Sequence, residues 1–265
     1  MLDRLFRSKP QLRPRVPDGE VAFAIGDVHG RADLLQRLLD AIFEDEAFRQ
    51  GRRCTIIGLG DYVDRGGGSY QVLEILIPLS RRTDVDCRFL RGNHEQSLLD
   101  FLDEPAVGRW WCEIGGRETL ASYGVQAPSS QADLDAWIKA RDELSAVLPL
   151  DHLGFIQGLG FTFSLGDYFF AHAGARPGVP LDSQAERDLI WIRDAFLTDA
   201  RPFEKVVVHG HSVTREAHLD HRRIGIDTAA FMTEVLTALR LEGETRVLMQ
   251  TGLDPEDNAV TIRTV

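Results

Sequence analysis

The chain has 265 residues, 43% of them apolar and 27% charged, which is ample material for a buried core and unlike the composition of a disordered chain. Its net charge of −11 argues against a general nucleic-acid binder, because phosphate backbones are gripped by an excess of Lys and Arg. No apolar run approaches the roughly 20 residues that span a bilayer, and the three cysteines (Cys54, Cys87, Cys112) lack disulfide or thiolate–zinc spacing, so a reduced, cytoplasmic setting without membrane or nucleic-acid partners is expected.

Residues 1–18 carry Arg4, Arg7, Lys9, Arg13 and Arg15 without an apolar signal core, and read as a flexible basic tail ahead of one domain over 19–265. Val21–Ile25 is a short apolar run that stops at Gly26, as a buried strand does. Leu34, Leu35, Leu38, Leu39, Ile42 and Phe43 then recur at helical spacing and predict an amphipathic helix from Arg31 to about Arg49. The alternation repeats. Cys54–Ile57 reads as a strand and Tyr70–Leu79 as a helix, followed by a strand over Val85–Leu90 and a helix over Glu95–Leu102. Strand, Gly-rich turn and helix in succession define an α/β fold with parallel strands, whose carboxyl ends are where such sheets place ligands.

From about 105 to 158 the pattern changes to a mostly helical insertion, with Trp110, Trp111, Gly115-Gly116 and a helical stretch near Gln131–Leu148 that ends at Pro149. Substrate specificity is expected to lie there, around Trp110, Trp111 and Trp137. The second half is strand-rich: Phe161–Ser164, Tyr168–Ala171, Val206–Val208, Ile224–Ile226, Val235–Leu241, Val247–Gln250 and Ala259–Thr264, with hairpin turns at Gly166-Asp167 and Glu242-Gly243-Glu244.

Five Gly-flanked segments lie along this framework: Gly26-Asp27-Val28-His29-Gly30, Gly60-Asp61-Tyr62-Val63-Asp64-Arg65-Gly66, Gly92-Asn93-His94-Glu95, His172-Ala173-Gly174 and Gly210-His211-Ser212. Carboxylate, imidazole and amide oxygen together suit two divalent ions of the Mn, Fe or Zn kind. Asp27 and His29 are one residue apart at a strand end, so an extended chain presents both to one ion. An aspartate such as Asp61 that bridges two ions can hold them about 3.5–4 Å apart, as two-metal hydrolysis requires. Asn93, His172 and His211 follow strands in the same way, and either His209 or His211 can face the site. Arg65 and Arg91 are suited to phosphoryl oxygens. His94 can protonate a departing alkoxide if Asp64 holds its ring.

These motifs, in this order, resemble the phosphoprotein phosphatase family of the calcineurin-like metallophosphoesterases, most nearly its small bacterial and phage serine/threonine phosphatases. The likeness runs from about Val21 to Leu241 and takes in Gly115-Gly116, Leu148-Pro149-Leu150, Ile190-Trp191-Ile192-Arg193 and Ile226-Asp227-Thr228. It implies a four-layer αββα sandwich with a helical insertion. It assigns one ion to Asp27, His29 and Asp61 and a second to Asp61, Asn93, His172 and His211, choosing His211 over His209. It makes His94 the general acid with Asp64 as its partner, and Arg65, Arg91 and Arg193 the phosphate clamp. Val213 stands where many metallophosphoesterases have a second His, which weakens a nuclease reading.

The expected activity is hydrolysis of phosphate monoesters, foremost phosphoserine and phosphothreonine of proteins or a small phosphoester. It would proceed by direct attack of a hydroxide bridging two divalent ions, manganese first and Fe or Zn also suitable. The rival enzyme is a dinucleoside polyphosphate (diadenosine tetraphosphate) hydrolase. Against it, the symmetrical diadenosine hydrolases that this chain resembles usually carry Ala in place of Asp64 and Asp in place of Glu95. The rival from another class is a binding scaffold without catalysis, against which the full ligand set argues.

Overall fold

A computed structural model describes residues 13–252 and 259–265. Among these, β1 (Glu20–Ile25), β2 (Arg53–Gly58), β3 (Asp86–Phe89), β4 (Thr162–Leu165), β5 (Tyr168–Ala171), β6 (Val206–His209), β7 (His218–Leu219), β8 (Arg223–Gly225), β9 (Thr237–Glu242), β10 (Thr245–Thr251) and β11 (Val260–Thr264) form two mixed sheets. One has the order β11-β10-β9-β1-β2-β3 and the other β4-β5-β6-β8-β7.

Strand alternation builds the layers. Val21, Phe23 and Ile25 of β1 pack outward against the apolar faces of helices Ala32–Phe43 and Ser69–Ser80. Ala22 and Ala24 point the other way, into an inter-sheet core with Tyr168, Phe170, Val206, Val208 and Ile224. The small side chains there let the aromatic residues of the second sheet fill the gap. Beyond that sheet, Phe169, Ala171 and Val207 pack on helices Glu186–Trp191 and Asp194–Leu197. The αββα order expected from the resemblance is therefore present, with the insertion as a separate helical core that includes Trp111, Leu120, Trp137 and Leu144. No helix among the described residues is long and apolar enough to cross a membrane.

Pairing is parallel between β1 and β2, β2 and β3, β5 and β6, and β6 and β8. The carboxyl ends of these six strands therefore converge on one edge, and Asp27, Asp61, Asn93, His172, His211 and Asp227 all lie just past them.

Three expectations change. The helix expected over 31–49 stops at Phe43, and Asp45 caps a short second helix, Glu46–Arg49, by accepting the Ala47 N–H. Trp111 and Trp137, expected at the specificity surface, are core residues at 0% and 3% exposure, which leaves Trp110 as the exposed one. The end of the expected tail is packed. Val16 is buried between the sheets and donates its N–H to Gly243 O, while Arg15 and Asp167 exchange backbone-directed hydrogen bonds. The rest of that tail, residues 1–12, lies outside the described residues.

Candidate dinuclear metal site

Asp61 sits at the centre. Its Oδ2 is 3.5 Å from His29 Nε2 and its Oδ1 is 3.4 Å from His172 Nε2, so the two oxygens of one carboxylate face two different imidazoles. Two buried groups of ligand atoms share it: His29, Asp61 and His94, and Asp61, His172 and His211. Asn93 Oδ1 lies 3.0 Å from His172 Nε2 and so belongs to the second group. Asp27 is held beside His211 by that residue's backbone N–H, at 3.0 Å.

Two of these imidazoles, His29 and His172, are oriented by their far nitrogens. Nδ1 of His29 faces Val63 O at 3.0 Å and Nδ1 of His172 faces Leu59 O at 2.9 Å, which fixes the protons there and leaves Nε2 as an acceptor. Nε2 of His29 and Nε2 of His211 are buried and have no hydrogen-bond partner. A bare, buried imidazole acceptor of this kind fits a metal ion and little else. Burial depresses the His29 imidazole to about 3 and the His211 imidazole to about 2, keeping both neutral as ligands must be. Conversely, burial and then the like charges of Asp227 and Asp61 push the Asp27 carboxyl well up, and burial also raises Asp227. Three buried carboxyls crowded among neutral imidazoles need cations nearby to ionise together. The residues present thus fit two divalent ions, with Asp61 between them.

The backbone is bent to reach this arrangement. Among the described non-glycine residues, seven have positive φ, and five of these are His29 (45°), Asp61 (54°), Asp64 (70°), Arg65 (67°) and His211 (60°). Left-handed backbone at such residues is held against its intrinsic cost by the surrounding structure. Part of the hold is Glu95, which is fully buried. Its Oε1 accepts the N–H groups of Tyr62 (2.7 Å) and Val63 (3.2 Å), and its Oε2 those of Asp61 (2.8 Å) and Gly92 (2.9 Å). Sequence reasoning used Glu95 only as a mark of the family branch; here it ties two metal-bearing loops together. Burial, then the charge of Asp61, raises its carboxyl to about 7.

His94 meets the His29 ring edge to face at 4.7 Å but differs from the other imidazoles in its partners. Its Nδ1 is 2.7 Å from Asp64 Oδ2, and its Nε2 is 3.2 Å from Arg65 Nη2. Because guanidinium only donates, the neutral ring accepts from Arg65 at Nε2 and donates from Nδ1 to Asp64. Burial opposes the charged imidazole, but Asp61 and Asp64 together raise it above the ordinary histidine range. The helical insertion completes this corner. Trp111 Nε1 donates to Asp64 Oδ2 at 2.8 Å, and Thr119 Oγ1 donates to Asp64 Oδ1 at 2.6 Å. The N–H of Arg65 donates to Gly115 O at 3.0 Å, within a π-helical segment, Cys112–Gly116. Gly115 has φ 126°, and a Cβ there would collide with Arg65.

Arg65 lies over the Phe231 ring at 4.9 Å. The charge of Arg193 reaches the site, adding to the depression that burial imposes on His172 and His211. Arg91 is turned elsewhere. Its guanidinium donates to Gln96 Oε1 (3.0 Å) and Gln157 O (2.8 Å) and rests over Phe161. His209 is also turned away, towards Gly210 O and Arg223.

Sequence reasoning missed Trp111, Thr119 and Asp227 as site residues. Asp227 follows the end of β8 just as the other carboxylates follow their strands, and that signal was available.

A bridging carboxylate between two imidazole groups, with a guanidinium and a separate oriented imidazole beside it, defines a metal-dependent phosphoesterase. The profile of the calcineurin-like phosphoesterase family matches residues 22–233, and the chain belongs to that family. Within it, the chain is 23% identical to an asymmetrical bis(5'-nucleosyl)-tetraphosphatase, PrpE, of Halalkalibacterium halodurans over 234 residues, covering 82% of this chain and 88% of that one. It is 30% identical to the serine/threonine-protein phosphatase BSL2 of Arabidopsis thaliana over 103 residues, or 38% of this chain and 10% of that one. The fold recurs in the crystal structure of a candidate diadenosine tetraphosphatase at TM-score 0.59 and 19% identity, covering 95% of this chain and 98% of that one. The likeness to the tetraphosphatase covers most of the chain and that to the serine/threonine phosphatase a shorter stretch, while the fold also recurs in a cold-active protein-tyrosine phosphatase of a psychrophilic Shewanella at TM-score 0.52 and 17% identity, covering 94% of this chain and 83% of that one.

Proposed function

We propose that the chain hydrolyses dinucleoside polyphosphates, cutting diadenosine tetraphosphate to ATP and AMP. The observation that carries this reading is the breadth of the likeness to an asymmetrical tetraphosphatase, which covers 82% of this chain and 88% of that one. Asp27, His29 and Asp61 would hold one ion, and Asp61, Asn93, His172 and His211 the other. Two such ions supply Lewis acidity towards phosphoryl oxygens and a lowered pKa for water. Arg65 and Arg193 neutralise charge that gathers on the phosphoryl group, acting from fixed positions in a site largely screened from solvent. His94, its ring held through Nδ1 by Asp64, would in its protonated form exchange the Arg65 contact for a proton on Nε2 and give that proton to the leaving oxygen.

That dyad also favours a second reading. A nucleotide phosphate leaves readily without a proton, whereas a serine or threonine alkoxide does not, so a tethered acid suits a phosphoprotein monoester. Protein loaded with Mn²⁺ should be offered diadenosine tetraphosphate and a phosphoserine peptide at equal concentration. Release of ATP and AMP at a kcat/KM well above that of phosphate from the peptide is the expected result. Rapid peptide dephosphorylation with the dinucleotide intact would replace the first reading by the second.

A further inference from the structure

We infer that Trp110 and Trp191 form a stacking platform for a nucleobase of the substrate, on the His211 side of the site. The inference rests on the dinucleotide reading. Trp191 ends the helix Glu186–Trp191, and its ring meets the His211 imidazole edge to face, with centroids 6.2 Å apart and planes at 87°. Trp110 lies against Trp191, with centroids 5.8 Å apart and planes tilted by 43°. Trp110 is therefore one ring removed from a metal-site imidazole.

Trp110 is 43% exposed, while Trp111 beside it is completely buried. An indole left open to water at this level forgoes apolar burial that its neighbour obtains, and large exposed aromatics beside a polar site mark ligand contacts. Val213, two residues beyond His211, is also exposed, at 49%. Arg193 stands two residues after Trp191, and its charge reaches His172 and His211. A phosphoryl group at the ligand cluster would thus have the two indoles within reach of the nucleoside attached to it, because Trp191 is in ring contact with His211.

The chemistry favours a base over other occupants. Two divalent ions and an arginine would hold a phosphoryl group whatever is attached to it, so preference for a nucleotide needs a contact to the base itself. Stacking on an aromatic face contributes about 1–3 kcal/mol per base and tolerates any base. The platform would select a nucleotide while leaving its identity open.

The test is a fluorescence titration of the Mn²⁺-loaded protein with AMP and with ribose 5-phosphate, which differ only in the base. AMP should quench tryptophan emission and bind roughly 5- to 100-fold tighter than ribose 5-phosphate. Trp110→Ala should abolish that advantage, and Trp110→Phe should restore part of it. In the same variants, the KM for diadenosine tetraphosphate should rise in parallel with the loss of AMP affinity. Equal affinity of the wild-type protein for AMP and ribose 5-phosphate overturns the platform, even if the dinucleotide is hydrolysed. A preference for AMP that depends on Trp110 sustains the platform, even if the dinucleotide is not hydrolysed and the broader reading falls. Weakening of phosphopeptide binding by Trp110→Ala, with AMP unaffected, would assign the platform to a protein partner and overturn the proposal.

Discussion

Trp111 donates its indole N–H to the same Asp64 oxygen that faces His94 Nδ1, at 2.8 Å and 2.7 Å respectively. The helical insertion therefore supports the chemistry as well as shaping the surface. Asp64 is 0% exposed, and its other oxygen is taken by Thr119. A buried carboxylate with both oxygens engaged has one orientation, and it passes that orientation to His94. Trp111→Phe keeps most of the apolar packing and removes only the donor. A hydrogen bond to a charged group contributes about 1.5–3 kcal/mol, so kcat on a phosphoserine peptide should fall roughly tenfold or more with bound metal unchanged. The alkaline limb of the pH–rate profile, where the proton donor loses its proton, should also move, which a purely structural role for Trp111 would leave in place.

His94 should reveal which substrate class the site serves. If it is a proton donor, His94→Asn lowers kcat by about 10²–10⁴-fold on an alkoxide leaving group. On p-nitrophenyl phosphate, or a substrate whose leaving group is a nucleotide phosphate, the fall should be tenfold or less, since those groups depart as anions. Metal content should be unaffected, because His94 Nε2 already accepts from Arg65. Loss of an ion from His94→Asn would make this histidine a ligand in the group it shares with His29 and Asp61.

The site was legible wherever ligand chemistry coincided with a strand end. Asp27, Asp61, Asn93, His172 and His211 each follow an apolar run, and parallel pairing carries all of those ends to one edge. Trp111 and Thr119 were not legible as site residues. They lie 47 and 55 positions from Asp64, and neither residue type announces catalytic work. Arg91 was read by type alone: its type suits phosphate, and the structure adds that the carbonyls ending the helix Leu150–Gln157 and the side chain of Gln96 engage its two terminal nitrogens while its Nε is buried without a partner. Trp137 looked like a surface aromatic because its helix is only weakly amphipathic, and tertiary packing buries it. The substrate was the least legible feature. An ester and an anhydride present the same phosphoryl group to the same ligands, and they differ only in what leaves.

His209 gives a pH signature separable from catalysis. It is fully buried, and burial depresses its imidazole to about 3, against about 6.5 in an unfolded chain. Below pH 6.5 the unfolded chain takes up a proton that the folded residue does not. The contribution of His209 is therefore complete above pH 6.5 and is lost as pH falls towards 3. Replacing it by Gln removes one such proton. The stability of His209→Gln should decline less steeply than wild type between pH 6 and 4, by up to about 1.4 kcal/mol per pH unit. Urea melts of metal-free protein at several pH values would measure this, and parallel slopes would refute it.

Gly210 offers the sharpest test of the two-ion arrangement. A Cβ at this position would overlap Asp27 Oδ1, while the next residue, His211, donates its N–H to the same carboxyl. The glycine therefore lets the β6 turn close directly onto the carboxylate that follows β1. In Gly210→Ala, Asp27 must move, and its surroundings are too tightly packed to yield freely. Asp61, Asn93, His172 and His211 gather on the other side of the bridging carboxylate, so one ion should be retained with near-normal affinity and the other lost. Metal analysis after gel filtration should find about one Mn²⁺ per chain in the variant against about two in the wild type. Activity should fall by at least a hundredfold, and high added Mn²⁺ should recover part of it. Retention of both ions at wild-type affinity would show that Asp27 is not a ligand and would reassign the first ion to His29, Asp61 and His94.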